Sequence, residues 1–384
     1  MITILEYNSI MTTDEKVKLI TRNLQEILTE EELRHLIDSE TPLKHYIGYE
    51  VSGKLHIGHL FGFLKIKDLI DAGAETTIFL ADLHSAINDK LDGNLDTIQR
   101  VSREYFIPAA KILLQSIGAD PNKVRFVTTS ELYTSDPDKT WQTFLSVAKN
   151  TTLARNLRSI TIMGRENTED LDSAKLMYPI MQATDIFLLQ ANIAHAGLDQ
   201  RKVHVIARDV AYQIKTSPLK DSRGTPIKPV AIHHPILLGL DYKGEIVAGE
   251  SDEIAMKTKM SKSKADSAVS VHDDPAEIKR KVMSAYAPPN ELENNPIINW
   301  VQNLIFYGGS GNLKVDRAEQ HGGTIIYDSW EKLAGDYTSG ILHPMDLKSA
   351  LAEWLINLLE PVRTYFENPD KKSILDEIER LTIR

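Results

Sequence analysis

Three short, β-prone and mostly apolar stretches, separated by segments of helical period, place the strongest limit on how this chain folds. They are His45–Glu50, Thr76–Ala81 and Val124–Thr129. Between them, apolar residues from Leu60 to Ile70 recur at the spacing of one helix face, and a second helical stretch covers Leu95–Ile117. A strand that is apolar along its whole length is covered on both faces, as in a parallel sheet flanked by helices. Strands alternating with helices therefore predict an α/β fold with a doubly wound parallel sheet. Ahead of the first strand, residues 12–38 read as amphipathic helices. Val17, Ile20, Leu24, Ile27 and Leu28 lie at helical spacing, and Thr29-Glu-Glu-Glu32 reads as a capping box for a second helix.

The alternation does not persist. Residues 141–172 are polar and helical, and read as an insertion between two halves of the sheet. Turns containing Pro and Gly dominate from Pro218 to Gly249, followed by a lysine-rich loop at 257–264. From Pro275 onward the chain is helix-rich. Leu351, Trp354, Leu355, Leu358 and Leu359 share one broad face of a helix expected to end before Pro361. A boundary near 270 divides the expected catalytic domain (1–270) from a mostly α-helical domain (271–384).

Composition narrows the function classes. The 384 residues include no cysteine, which removes disulfides, zinc–thiolate sites and a thiol nucleophile. No apolar run approaches the roughly 20 residues that span a bilayer, and no signal-peptide core opens the chain, so a cytoplasmic protein with no membrane partner is expected. The net charge of −10 is unlike the basic balance of most nucleic-acid binders. A large RNA needs only local basic patches, however. Lys149 to Arg158, continuing to Arg165, and the pair Arg201-Lys202 are such patches. Charge alone leaves them equally readable as solvated helix faces.

Ligands in open parallel sheets bind beyond the carboxyl ends of the strands. His56-Ile57-Gly58-His59 follows the first strand and opens a helix, whose N-terminal N–H groups attract anions. Asp82-Leu-His84 follows the second strand. Gly58 admits close backbone approach, and the imidazoles can donate to phosphate oxygens. Some two hundred residues later, Lys259-Met260-Ser261-Lys262-Ser263 offers mobile ammonium groups. Either segment alone is a chance-level match; a surface histidine pair and a solvated charge run would look the same. Together, in this order, they predict a site for a nucleoside triphosphate that loses pyrophosphate. Tyr178, Gln182 and Asp185 lie at i, i+4 and i+7, on one face of a helix expected to start near Pro179. Their neighbours are largely apolar, so this polar stripe meets either a pocket or bulk water.

These segments resemble the signatures of class I aminoacyl-tRNA synthetases, and the surrounding blocks are similar to tyrosyl-tRNA synthetases of the archaeal and eukaryotic type. The blocks are Tyr46-Ile-Gly-Tyr-Glu, Leu80-Ala-Asp-Leu-His84, Tyr178 to Asp185, Asp199-Gln-Arg-Lys202 and His343-Pro-Met-Asp-Leu-Lys348. The resemblance implies a Rossmann-like catalytic domain with a helical insertion, followed by a helical anticodon-binding domain. It implies catalytic roles for His56, His59, Lys259 and Lys262, with Lys257 and Lys264 as lesser neighbours. Tyrosine would be held by Tyr46, Tyr178, Gln182, Asp185 and Gln200, and ATP by His56, Gly58, His59, Gly197, Asp199 and Lys262. Arg158, Arg201 and Lys202 match positions at the tRNA acceptor end, and His343 and Asp346 match readers of the first anticodon base. On their own chemistry, His343-Pro344 and Asp346 equally suit an ordinary helix start.

The implied activity is a tyrosine–tRNA ligase acting through tyrosyl-adenylate, with Mg²⁺ accompanying ATP and a homodimeric assembly. No dedicated carboxylate cage for a metal is visible. A site built around a substrate hydroxyl rejects the analogue lacking it by roughly 10⁴–10⁵, a magnitude that comes from tyrosyl-tRNA synthetase itself. Tryptophanyl-tRNA synthetase is the nearest alternative, since Asp185 could accept from an indole N–H. A small-molecule nucleotidylyltransferase and a non-catalytic RNA-binding paralogue are the others. Val51 stands where the family commonly has Pro. Leu132-Tyr133 falls where relatives differ, and no contact is assigned to it.

Overall fold

The computed structural model describes residues 11–163, 172–244 and 266–382. The lysine loop, with Lys257, Lys259, Lys262 and Lys264, and Arg165 of the first basic patch lie outside the described residues.

Two N-terminal helices, α1 (Thr13–Thr21) and α2 (Glu30–Asp38), flank a three-residue strand β1 (Glu26–Leu28). Both helices start with capping boxes, at Thr12/Glu15 and at the expected Thr29/Glu32. Ile27 and Leu28, expected on a helix, lie instead on β1, because the edge of the sheet offers their backbone groups a partner. Then come β2 (Lys44–Tyr49), α3 (Gly58–Asp71), β3 (Glu75–Leu80), α4 (Asp82–Ile87) and α5 (Leu95–Val101). A π-helical turn at Ser102–Phe106 joins α5 to α6 (Ile107–Ser116), so the helix expected over 95–117 is one rod with a bulge. Next are β4 (Val124–Thr128), α7 (Thr129–Ser135), α8 (Pro137–Lys149), α9 (Leu153–Ser159), α10 (Ser173–Leu188), β5 (Ile193–Gly197), α11 (Arg201–Val210) and β6 (Val230–His234).

The six strands have the order β1-β6-β5-β2-β3-β4. Neighbours from β6 to β4 are parallel, whereas β1 pairs antiparallel with β6. The sheet is thus Rossmann-like but mixed. The chain winds outward from β2 through β3 to β4, then returns to β5 on the other side. The strand order reverses between β2 and β5, which is where such sheets hold ligands.

Helix α10 begins at Ser173, capped by Asp172, and Pro179 lies inside it rather than at its start. The C-terminal part comprises α12 (Pro275–Ser284), α13 (Pro296–Trp300), a hairpin of β7 (Ser310–Val315) and β8 (Ile325–Ser329), α14 (Trp330–Thr338), α15 (Pro344–Glu367) and α16 (Pro369–Thr382). The hairpin interrupts the expected helical run. Pro361 does not end α15 either. It sits on the exposed side, the Arg363 guanidinium donates to the Ile356 carbonyl at 2.7 Å, and buried Val362 and Phe366 continue the apolar face beyond it. One apolar cluster runs from Ile47 and Phe61 through Tyr105 and Trp300 to Leu355 and Phe366, joining sheet and C-terminal helices. No helix among the described residues is long and apolar enough to cross a membrane.

A buried charge cluster pins this junction. Asp68 on α3 is wholly buried and receives Lys65 Nζ at 3.0 Å, the Tyr307 hydroxyl at 2.6 Å and the Arg22 guanidinium. Lys65, also wholly buried, donates further to the Ile20 carbonyl at 3.0 Å and to the Arg22 carbonyl. Burial pulls its ammonium down to about 8, against the opposing pull of Asp68. Removing one partner of such a pair leaves an uncompensated charge and costs about 3–5 kcal/mol. Asp68→Ala is therefore expected to lower unfolding free energy by about that amount in denaturant titrations. The double replacement Asp68→Ala/Lys65→Met should recover most of the loss, because it strands no ammonium.

Candidate active site

A cavity of about 590 Å³ opens at the carboxyl ends of β2, β5 and β6. Its walls come from β2 (Tyr46, Tyr49, then Glu50), the start of α3 (His56, Gly58, His59), α4 (His84), α10 (Tyr178, Gln182, Asp185) and the turn after β5 (Gly197, Asp199, Gln200). Every described residue that the family resemblance links to tyrosine or ATP thus lines one cavity. Arg158, Arg201, Lys202, His343 and Asp346 do not line it.

At the mouth, Gly58 opens α3 and its N–H donates to His56 Nδ1 at 3.1 Å. In the neutral ring this puts the proton on Nε2 and makes that atom a donor. His59 Nδ1 lies against the His56 backbone, 3.2 Å from its nitrogen and 3.0 Å from its oxygen. The two rings are 4.3 Å apart, and Tyr49 packs beside His59 at 5.5 Å.

Deeper in, the stripe on α10 meets polar partners. The Tyr178 hydroxyl donates to Glu50 Oε1 at 2.9 Å. Glu50 also accepts from Asn88 Nδ2 at 2.7 Å and pairs with Lys90 at 3.3 Å. Gln182 Nε2 donates to Gln200 Oε1 at 3.2 Å, while Gln182 Oε1 is buried with no hydrogen-bond partner among the described residues. Gln200 Nε2 is held by the Ile162 carbonyl at 3.0 Å and Asp199 Oδ2 at 3.1 Å. At the far end, Asp185 is 1% exposed and accepts from the Tyr133 hydroxyl at 2.8 Å. Burial pushes its carboxyl well above the usual range, and the Tyr133 bond opposes that shift. His84 Nε2 stands 3.3 Å from Asp185 Oδ2 without the alignment of a hydrogen bond. Burial lowers this imidazole to about 3, so it is neutral at physiological pH.

Glu50 is a site residue to which sequence reasoning gave no role. It ends the quoted block after Tyr46, and a carboxylate just past a strand's carboxyl end was the available signal. Tyr133 carried no such signal, because its contact with Asp185 depends on the direction of α7. The basic residues are placed separately. Arg158 is exposed on α9, Arg201 is ion-paired with Glu26 at 2.9 Å, and Lys202 Nζ lies 3.4 Å from the Thr161 hydroxyl. His343 caps α15, its Nδ1 accepting from the Met345 N–H at 3.2 Å, with Asp346 in the first turn.

Fold and site together define an α/β enzyme that binds a nucleotide beyond its strand ends. Residues 38–360 match the family described as tRNA synthetases class I (W and Y). The chain belongs to that family. It is 48% identical over 375 residues to the tyrosine–tRNA ligase of Thermococcus kodakarensis, covering 96% of this chain and 99% of that protein. Among solved structures, tyrosyl-tRNA synthetase from Pyrococcus horikoshii, complexed with L-tyrosine, superposes with a TM-score of 0.90 at 45% identity, covering 96% and 100% of the two chains. The Aeropyrum pernix enzyme gives 0.79 at 38% identity, covering 96% and 99%.

Gly197 shows how tightly the turn is packed. A Cβ there would fall 2.6 Å from Asp199 Oδ1 and 2.7 Å from Ile236 Cδ1. Both atoms end rotatable, half-buried side chains, so Gly197→Ala is expected to displace them at a cost of about 1 kcal/mol at most, read as a small drop in denaturation midpoint at unchanged slope.

Proposed function

We propose that this chain is a tyrosine–tRNA ligase in which the α10 stripe measures the amino acid from end to end. From Tyr178 to Asp185 the helix advances by roughly 10 Å, enough to set partners at both ends of an aromatic amino acid. The observation that carries the reading is the orphaned, buried Gln182 Oε1, set beside Tyr178 and Gln200 in a cavity whose other end holds Tyr46 and Asp185. An ammonium group satisfies Gln182 Oε1, and a substrate phenol donates to Asp185. Tyr46, which burial keeps protonated, stands at the phenol end.

ATP lies across Gly58 and the α3 N-terminus, with His56 and His59 toward its phosphates and Asp199, beside Gly197, toward the ribose. The tyrosine carboxylate is already ionised, so alignment rather than a general base drives the first step. A carboxylate oxygen bonds to the α-phosphorus as the bond to the bridging oxygen breaks, and pyrophosphate leaves. Charge developing on that group is met by imidazole donors and by Lys259 and Lys262, where each donor is typically worth about 2.7–4 kcal/mol. A ribose hydroxyl at the tRNA 3′ end then attacks the adenylate carbonyl, the acyl–phosphate bond breaks, and AMP departs with the hydroxyl proton on its phosphate. Mg²⁺ would accompany the triphosphate and offset part of its negative charge. Among the described residues, no group of three His, Asp or Glu is disposed to hold an ion by itself.

The tRNA acceptor end is assigned to Arg158, Arg201 and Lys202. The anticodon is assigned to residues 271–384, through His343 and Asp346. A homodimer is supported by exposed apolar side chains on neighbouring helices: Trp141 and Leu145 on α8, Leu153 and Leu157 on α9, and Met177 on α10.

ATP–pyrophosphate exchange without tRNA tests the central reading. Tyrosine is expected to drive it, with phenylalanine roughly 10⁴-fold poorer, a margin borrowed from this same class of site. Exchange driven by tryptophan instead would overturn the assignments of Tyr46 and Asp185. For the assembly, sedimentation should give a dimer, and Leu153→Asp/Leu157→Asp a monomer; a wild-type monomer at micromolar concentration would refute it.

A further inference from the structure

We infer that Tyr133 is a specificity-determining positioning residue, whose phenol orients the Asp185 carboxylate so that its other oxygen reads the substrate hydroxyl. This rests on the tyrosine reading above. Tyr133 is not on the cavity wall, whereas Asp185, Tyr46 and His84 are. It therefore acts through Asp185 rather than by touching the amino acid.

Three features of the geometry carry the argument. First, a carboxylate that is 1% exposed needs donors to remain an acceptor, and among the described residues it accepts one hydrogen bond, from Tyr133 to Oδ1 at 2.8 Å. Second, no cation replaces that donor. The titratable groups around the carboxylate are Tyr133 on α7, Asp82 and neutral His84 on α4, Tyr46 on β2 and Tyr178 on α10. Third, Tyr133 is anchored independently of the pocket. Helix α7 starts with a capping box at Thr128/Glu131, and the Ser130 N–H donates to Asp82 Oδ1 at 3.0 Å. Gln99 Nε2 bridges Asp82 Oδ2 at 3.2 Å and the Ser130 hydroxyl at 2.9 Å. One turn further along, the Tyr133 phenol is thereby aimed at Oδ1.

With Oδ1 occupied, Oδ2 is the oxygen left for a ligand, beside His84 Nε2 at 3.3 Å. Without the Tyr133 hydroxyl, the carboxyl loses its fixed rotamer and the one hydrogen bond that opposes the upward pull of burial. A reorienting carboxyl that holds a proton more readily is a poorer acceptor for the substrate phenol. Phenylalanine makes no use of that acceptor, so its handling does not change.

Tyr133→Phe is the test, read by ATP–pyrophosphate exchange. The KM for tyrosine is expected to rise about 10- to 100-fold, as for a lost hydrogen bond to a charged group. The KM for ATP and kcat/KM for phenylalanine stay at wild-type values, so discrimination shrinks by the same factor. In an Asp185→Asn background the same replacement should change tyrosine KM less than about twofold, because the coupling runs through that carboxylate. Should Tyr133→Phe fail to fold, Tyr133→Gln and Tyr133→Met form a near-isosteric pair with and without a donor, and only the second should lose discrimination. An unchanged tyrosine KM, or equal losses for tyrosine, phenylalanine and ATP, would overturn the inference while wild-type exchange with tyrosine leaves the function standing. Absence of tyrosine-driven exchange in the wild type would sink both.

Discussion

The site depends on a short stretch of extended backbone pairing between residues far apart in the chain. The Ile57 N–H donates to the Val269 carbonyl and the Val271 N–H to the Leu55 carbonyl, each at 3.0 Å, with His56 opposite Ser270. These groups lie just before a helix and just after the lysine loop, where no regular element satisfies them. Their mutual pairing joins the imidazole segment to the C-terminal base of that loop. The Leu55 N–H also donates to the Tyr105 hydroxyl at 2.7 Å, which is 3.0 Å from His272 Nε2. Phe366 of α15 packs against both rings. Tyr105 reaches this position from the π-helical turn between α5 and α6, so the bulge has a structural use. The start of α3 is thus tied to the sheet, the loop base and the C-terminal helices at once.

Behind the pocket the walls are polar without being charged. His45, His195 and His234 form a hydrogen-bonded row across β2, β5 and β6, with contacts of 3.1 and 2.8 Å. Burial holds all three well below the ordinary imidazole value, to about 3 for His45 and about 4 for His234. Each neutral ring offers one donor and one acceptor, so the row orders itself in one direction. A second pair, His204 with His233 at 3.0 Å, meets Glu26, which also holds Arg201. Imidazoles here bond to one another in the sheet interior, although His45 Nδ1 and His204 Nε2 keep no hydrogen bond among the described residues; on the proposed reading the triphosphate end falls to His56 and His59.

Much of this was legible in the sequence, and its failures have physical reasons. Strands β2 and β3 were readable because burial along most of their length keeps their central residues largely apolar, and β4 because Val124, Phe126 and Val127 are β-prone although Arg125 is exposed. The α10 stripe was readable because a polar face on an apolar helix demands partners, and Glu50 and Gln200 supply them. β1 was not readable, since three residues at helical spacing cannot announce an edge strand. Pro361 misled because its cost falls on an exposed carbonyl, while buried Val362 and Phe366 favour continuing the helix. Tyr133 was opaque for another reason. Its role depends on the direction of α7, set by Thr128, Ser130 and Gln99 against Asp82, and no local pattern encodes that direction.

The two halves of the reaction place opposite demands on the site, and the architecture separates them. On the proposed reading, recognising an amino acid needs fixed acceptors, and Asp185 and Gln182 sit on a helix with most of its side chains buried. Displacing pyrophosphate needs positive charge only while the α-phosphorus is crowded. Permanent ammonium groups beside the buried Asp185 would supply a competing partner and weaken its reading of a neutral phenol. On the proposed reading, supplying them from the loop that precedes Val269 avoids that conflict. The backbone bridge from Val269 and Val271 to Leu55–Ile57 then registers that charge against the imidazoles, and the end assigned to the phenol is kept free of cations.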